Sequence, residues 1–347
     1  MSAAEASAAR VFCTLFDSGY LSRGLAMYES LARRCREFTL YVFPFDDRAL
    51  RTLEALALPN VVIVPLKEFE DQELLRVKPT RSGAEYCWTC TASTVLYVME
   101  RFGHAVCTYL DADIHFHASP DPLLEELGAD DVLITEHRFS PQNDLSATSG
   151  IYCVQFVTFR NSERGRKALR WWREACLESC ELNPAAGKCG DQKYLDDWPQ
   201  RFEGVHVLAH LGGGLAPWNV QQYRFDERAP HTGTQIASGR RFEPVFFHFH
   251  GLKLSTGGRV RLTGTSYELS TGVVEIFYRP YLRHLDDIGR RLAARGIEFD
   301  PHGRIADGPP GALERAGHLA ERAFSRLRHF GVLGGNRNVP YFLDELV

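Results

Sequence analysis

Charge of one sign is the first thing this chain lacks: 40 basic residues stand against 44 acidic ones in 347, a formal net charge of −4. So weak a field gives no general attraction to polyanions, and nucleic acid is not an expected partner. Long apolar runs are also missing. Stretches such as "VVIV" (61–64) fall far short of the roughly 18 residues that a membrane span requires. The opening "MSAAEASAAR" carries no apolar core of a secretory leader, so the expected compartment is the cytoplasm. Nine cysteines, an odd number, are scattered through apolar stretches (Cys13, Cys107, Cys153), which suits small buried thiols in a reducing compartment. "YCWTC" (86–90) has no second cysteine pair at zinc-ribbon spacing, and no His-Glu-x-x-His is present to suggest a zinc hydrolase. Internal repeats and low-complexity segments are absent too, and the length allows a sizeable core without disulfides.

What is present is alternation. "RVFCTLF" (10–16) is a continuous apolar strand, and the segment after it sets Leu25, Tyr28 and Leu31 on one helical face, with Ser22 as the expected cap. Strands at 38–45 and 60–66 follow, separated by a short helix expected to be capped by Asp47. A long helix over about 85–101 leads to strand 105–110, a Pro-initiated helix at 120–127 and strand 131–135. Strands buried on both faces and alternating with helices predict an α/β fold, a mostly parallel sheet covered by helices on both faces. The expected division is one domain over 1–275 and a helical extension over 276–347, in which "ALERAGHLAERAFSRLRHF" (312–330) is amphipathic. Arginines in that extension are interspersed with acids, as on a solvated helix face; contact with an anionic membrane carrying a lipid-linked acceptor is the alternative.

Ligands of open parallel sheets sit outside the carboxyl ends of the strands, which singles out Asp17 after the first strand and Asp111 after the fourth. In an extended "DAD" (111–113) the two carboxylates point to the same side and can address one cation, a hard ion such as Mn²⁺ or Mg²⁺ completed by phosphate oxygens. A polar turn before the Pro120 helix is the other explanation of the triplet. In "FFHFHGLK" (246–253), His248 and His250 alternate with phenylalanines, Gly251 allows a close backbone approach, and Lys253 can meet a phosphate as a point charge. An imidazole added to two carboxylates favours Mn²⁺ over Ca²⁺. Structural histidines in a strand are the plainer alternative. Lys78 and Arg81 precede the long helix and could reach a diphosphate, or form a solvated loop pair. His115 and His117 are expected to flank the site without ligating.

Taken in order, "FDSGY" (16–20), "DAD" (111–113), "GDQKYL" (190–195), "PWN" (217–219) and "HFHGLK" (248–253) resemble the signatures of glycosyltransferase family 8 and its neighbours, over roughly residues 10–255. The resemblance implies a GT-A type fold and a metal-dependent, configuration-retaining transfer of sugar from a nucleotide donor, UDP-linked, to a hydroxyl of a glycan, lipid-linked or small-molecule acceptor. By the same resemblance Asp17 contacts the nucleoside and Tyr20 stacks on its base. Asp111, Asp113 and His248 hold the metal, Lys253 contacts the diphosphate, Asp191 and Gln192 lie near the reacting sugar, and Trp218 and Asn219 form the step before the last strand. The chain departs from the family where the lysine is followed by Leu254 and Ser255 rather than Pro-Trp, and where "GIYCVQF" (150–156) stands on the acceptor side. A sugar-phosphate nucleotidyltransferase would share the fold, but "FDSGYLSRG" lacks that enzyme's Gly-rich basic loop. A non-catalytic binding protein for nucleotide-sugar or glycan is the alternative of a different class.

Overall fold

Buried side chains alternate between two cores along the first strand: Phe12 and Phe16 face one, Cys13 and Leu15 the other. The computed structural model describes residues 9–183, 187–264 and 267–306, and the backbone of 341–342. The expected helix at 312–330 lies outside the described residues.

Seven strands form the central sheet. They are β1 (Arg10–Phe16), β2 (Phe38–Pro44), β3 (Val61–Ile63), β4 (Val106–Leu110), β6 (Val132–Glu136), β7 (Tyr152–Arg160) and the strand Val205–Val207, while β5 (Ile114–Phe116) lies outside it. Their order is Val205–Val207, β6, β7, β4, β1, β2, β3. Every pairing is parallel except those of β7, which runs antiparallel to both β4 and β6. From β1 the chain steps outward to β2 and β3 and then returns to place β4 on the opposite side, so the order reverses between β1 and β4. That reversal is where an open α/β sheet leaves a crevice at its carboxyl edge.

The helix α1 (Leu21–Arg34) covers one face of the sheet; the helices Gly83–Phe102 and Glu163–Glu178 cover the other. Ser82 and Glu85 form a reciprocal capping box at the start of the long helix, and Gly103 ends it in the left-handed conformation at φ 71°. Two expected caps sit elsewhere. Ser22 lies inside α1 with its hydroxyl 2.9 Å from His302 Nδ1, and Asp17 caps the preceding turn instead; Asp46, not Asp47, accepts from Ala49 N at 2.8 Å. The polar stretch 221–243 folds as a small antiparallel sheet, Tyr223–Phe225, Gly233–Gln235 and Arg241–Phe242.

A wide turn, Val274–Tyr278, runs directly into the helix Arg279–Ala294, whose Tyr281, Leu282, Leu285, Ile288 and Leu292 join the same core as β1 and α1. Its arginines are paired along the helix surface, Arg290 with Asp286 and Arg291 with Asp287 and Glu29. Among the described residues no helix is long and apolar enough to cross a membrane.

Candidate functional site

β4 ends at the sheet reversal, and its last backbone link to the sheet is Asp111 N donating to Gln155 O on β7 at 3.1 Å. The chain then turns, with Ile114 N donating to Asp111 O at 3.4 Å, before β5 pairs antiparallel with the strand Phe246–His248. Asp111-Ala112-Asp113 is thus a turn and not extended strand. Alternation is interrupted there, which separates the aspartates from the histidines that follow. His115 and His117 share a face with Phe247 and pack on the segment 274–294: His115 is 3.2 Å from His284 Nδ1, and the His117 ring lies 5.0 Å from that of Phe277.

The turn nevertheless gathers both carboxylates around one imidazole. His248 is buried, with Nε2 3.1 Å from Asp113 Oδ1 and 3.8 Å from Asp111 Oδ2. Its Nδ1 donates to Gln155 Oε1 at 2.8 Å, which fixes the ring and leaves Nε2 aimed at the carboxylates. Burial opposes a charge on His248, but Asp113, by charge and hydrogen bond, and then Cys153 and Asp111 hold its pKa well above the ordinary imidazole value. Burial lifts Asp111 above the usual carboxylate range. Asp113 goes the other way, because the charge and hydrogen bond of His248 outweigh burial. Asp111, Cys153 and His248 each offer a donor atom within 4.8 Å of the others, and Asp113 reaches the same imidazole from beside that triangle. The donor chemistry fits a divalent metal.

Other residues singled out by sequence gather on the same rim. Asp17 Oδ1 accepts from Tyr20 N at 3.1 Å. Tyr20 presents a ring that is 39 % exposed, and the negative charge of Asp113, with burial second, pushes its phenol up to about 12, so it stands within the field of the carboxylates. Trp218 puts its ring edge-on to both His248 and His250, 5.4 Å from each, and donates from Nε1 to His137 O at 2.9 Å. Asn219 is spent on the backbone, donating to His137 O and Gly214 O and accepting from Ala216 N. Gly251 has φ 76°, and a Cβ there would lie 3.1 Å from Gly264 N, so the turn after His250 requires glycine. Lys253, half-buried, pairs in register with Arg261, and its charge is felt at His250. Asp191 is buried below the rim, its carbonyl accepting from Trp172 Nε1 at 2.9 Å. Burial lifts its carboxyl to about 7, with a hydrogen bond to Thr91 working against the rise and the charge of Asp111 adding to it. Gln192 Nε2 donates to Ser149 O at 2.8 Å, tying this segment to the loop before β7.

Lys78 and Arg81 have partners of their own. Lys78 Nζ is 2.5 Å from Glu70 Oε1, and Arg81 donates to the carbonyls of Leu177 and Glu178. Among the described residues no hydrogen bond or ion pair joins either to the carboxylates. Three members of the site went unnoticed in sequence. Cys153 and Gln155, both on β7, each reach the His248 ring, and a glutamine inside a buried strand was the available signal. Arg23 is buried under the Tyr20 ring, 4.6 Å from its centroid, donating to His302 O and Leu252 O; a helical arginine gives no such signal.

An acidic, imidazole-centred site at the reversal of a mostly parallel sheet defines the class, an α/β protein whose polar cluster lies at the carboxyl edge of the sheet, where ligands of such sheets bind. No family model matches the chain. It is 29 % identical over 308 residues to Uncharacterized protein YfnD of Bacillus subtilis (strain 168), covering 85 % of this chain and 96 % of that protein. Among solved structures it overlaps the bifunctional glycosyltransferase WbbM at 13 % identity and TM-score 0.48, covering 80 % of this chain and 50 % of that one. The glycosyltransferase GlyE of Streptococcus pneumoniae TIGR4 overlaps at 12 % and 0.47, covering 86 % and 67 %.

Proposed function

We propose that the chain is a glycosyltransferase of GT-A type that moves a sugar from a nucleotide diphosphate donor, UDP-linked, to a hydroxyl acceptor with retention of configuration. The observation that carries this reading is the pair of carboxylates from one strand-end turn meeting a buried imidazole whose far nitrogen is fixed by Gln155. Asp111, Asp113 and His248 would hold Mn²⁺, or Mg²⁺ in its place. Bound there, the ion supplies Lewis-acid stabilisation of charge growing on the diphosphate.

The protein's own groups account for the rest. The exposed Tyr20 ring offers a stacking face for the base, with Asp17 beside it for the nucleoside. Lys253 serves as a point charge for a phosphate oxygen, and the Gly251 turn lets backbone approach closely. In this reading Asp191 is the carboxylate that stabilises the anomeric carbon as it becomes cation-like, with Gln192 holding the adjoining loop. The bond from that carbon to the diphosphate oxygen breaks, the bond to the acceptor oxygen forms, and the acceptor proton is released. Asp111 and Asp113, committed to His248 and the ion, are not an acid and base pair.

Calorimetric titration of UDP with and without Mn²⁺ tests the site. Heat of binding is expected only with the ion in the native protein and is lost in Asp113→Asn. Absence of UDP binding in both conditions removes the UDP assignment. Metal-dependent binding with no turnover of any UDP-sugar, and with Asp191→Asn indistinguishable from native, would leave a binding protein of the same fold.

A further inference from the structure

The antiparallel strand in the sheet has a chemical consequence at the rim. Because β7 runs opposite to its neighbours, its first residues, and not its last, lie at the carboxyl edge beside the end of β4. Cys153, the second residue of β7, is carried there and, like Gln155, the residue that orients His248, reaches the imidazole. It is buried, and its sulfur falls within 4.8 Å of a carboxylate oxygen of Asp111 and a ring nitrogen of His248, which are likewise within 4.8 Å of each other. Three convergent donors of three kinds, oxygen, nitrogen and sulfur, make a set that hard ions do not call for.

We propose that Asp111, Cys153 and His248 form a site for a thiophilic divalent cation, Zn²⁺ or its close analogues, that shares two ligands with the hard-ion site of Asp111, Asp113 and His248. Three protein ligands is the number a zinc site keeps when its fourth position is left to water or substrate. Binding replaces the thiol proton and the imidazole Nε2 proton, both released to buffer, and leaves Gln155 on Nδ1 undisturbed. Since Asp111 and His248 cannot serve both ions at once, zinc excludes Mn²⁺. The zinc site itself stands apart from the sugar-transfer reading: it needs no nucleotide, and it holds or fails independently of any donor.

Co²⁺ serves as the spectroscopic probe on the full chain. In the native protein one equivalent is expected to produce a thiolate-to-metal charge-transfer band that Zn²⁺ abolishes by displacement. In Cys153→Ser the band is expected to vanish, with Zn²⁺ affinity weakened by about tenfold or more. Retention of the native circular dichroism and melting midpoint establishes that the serine variant is folded. X-ray absorption at the zinc edge of the native protein needs no variant, and it is expected to show a single sulfur among light-atom ligands. A band that survives in Cys153→Ser, assigning it to other cysteines, or a zinc shell without sulfur, overturns the proposal.

Discussion

Asp191 carries the most testable charge in the molecule. With its carboxyl at about 7 in the folded chain and near the ordinary aspartate value when unfolded, the native state binds the extra proton between those two values. Its contribution to stability is therefore complete below about pH 4 and is lost as pH rises through about 7, a change on the order of 4 kcal/mol. Melting midpoints across that window should fall in the native protein and flatten in Asp191→Asn; parallel profiles would refute the shifted carboxyl. If the ionised group faces the sugar, turnover rises over the same window in which stability falls. Asp111 and Asp113 show why residue type alone is an incomplete guide. Two identical side chains one residue apart are pushed in opposite directions, one by burial and one by an imidazole.

At the scale of elements, the site depends on how the loop 211–219 packs beneath β7. Gly214 has φ 84°, and a Cβ there would lie 2.7 Å from Thr135 Cγ2 and 2.9 Å from Gln155 Nε2. Gly214→Ala should cost roughly 1–3 kcal/mol through backbone strain and crowding. It should also weaken Mn²⁺ binding by displacing the glutamine that orients His248. A thermal midpoint and a Mn²⁺ titration both equal to native would show that the loop does not support the site. The same paragraph of chain, "LGGGLAPWN", reads in sequence only as a Gly-rich stretch ahead of a Trp-Asn step; that Asn219 ties it off through three backbone partners is visible only in the fold.

For the molecule as a whole, the turn Val274–Tyr278 and the helix Arg279–Ala294 are part of the main core. Phe277, Tyr278, Tyr281, Leu282 and Leu285 are buried, and Tyr281 stacks on Phe249 with ring centroids 3.7 Å apart, next to the histidine strand. Burying each such side chain contributes about 1.5–3 kcal/mol, against a total stability of about 5–15 kcal/mol for a typical domain. A chain stopped at residue 275, where sequence suggested a boundary, should therefore lack a cooperative unfolding transition. A native-like melt from that truncated chain would show that the helix is a separable extension after all.

Sequence by itself determined the alternation of strands and helices, because burial on both faces writes unbroken apolar runs between amphipathic ones; it marked Asp17 and Asp111 because polar groups at strand ends break those runs, and His248 because imidazoles alternate with phenylalanines in an otherwise apolar strand. It placed Asp111 and Asp113 on one extended face, whereas the fold turns the chain between them and sends His115 and His117 to a different neighbour. Only the tertiary structure decided that β7 runs antiparallel. That reversal brings Cys153 and Gln155 to the rim, since strand direction depends on the path of the connecting loop in three dimensions and leaves no period in the residues themselves.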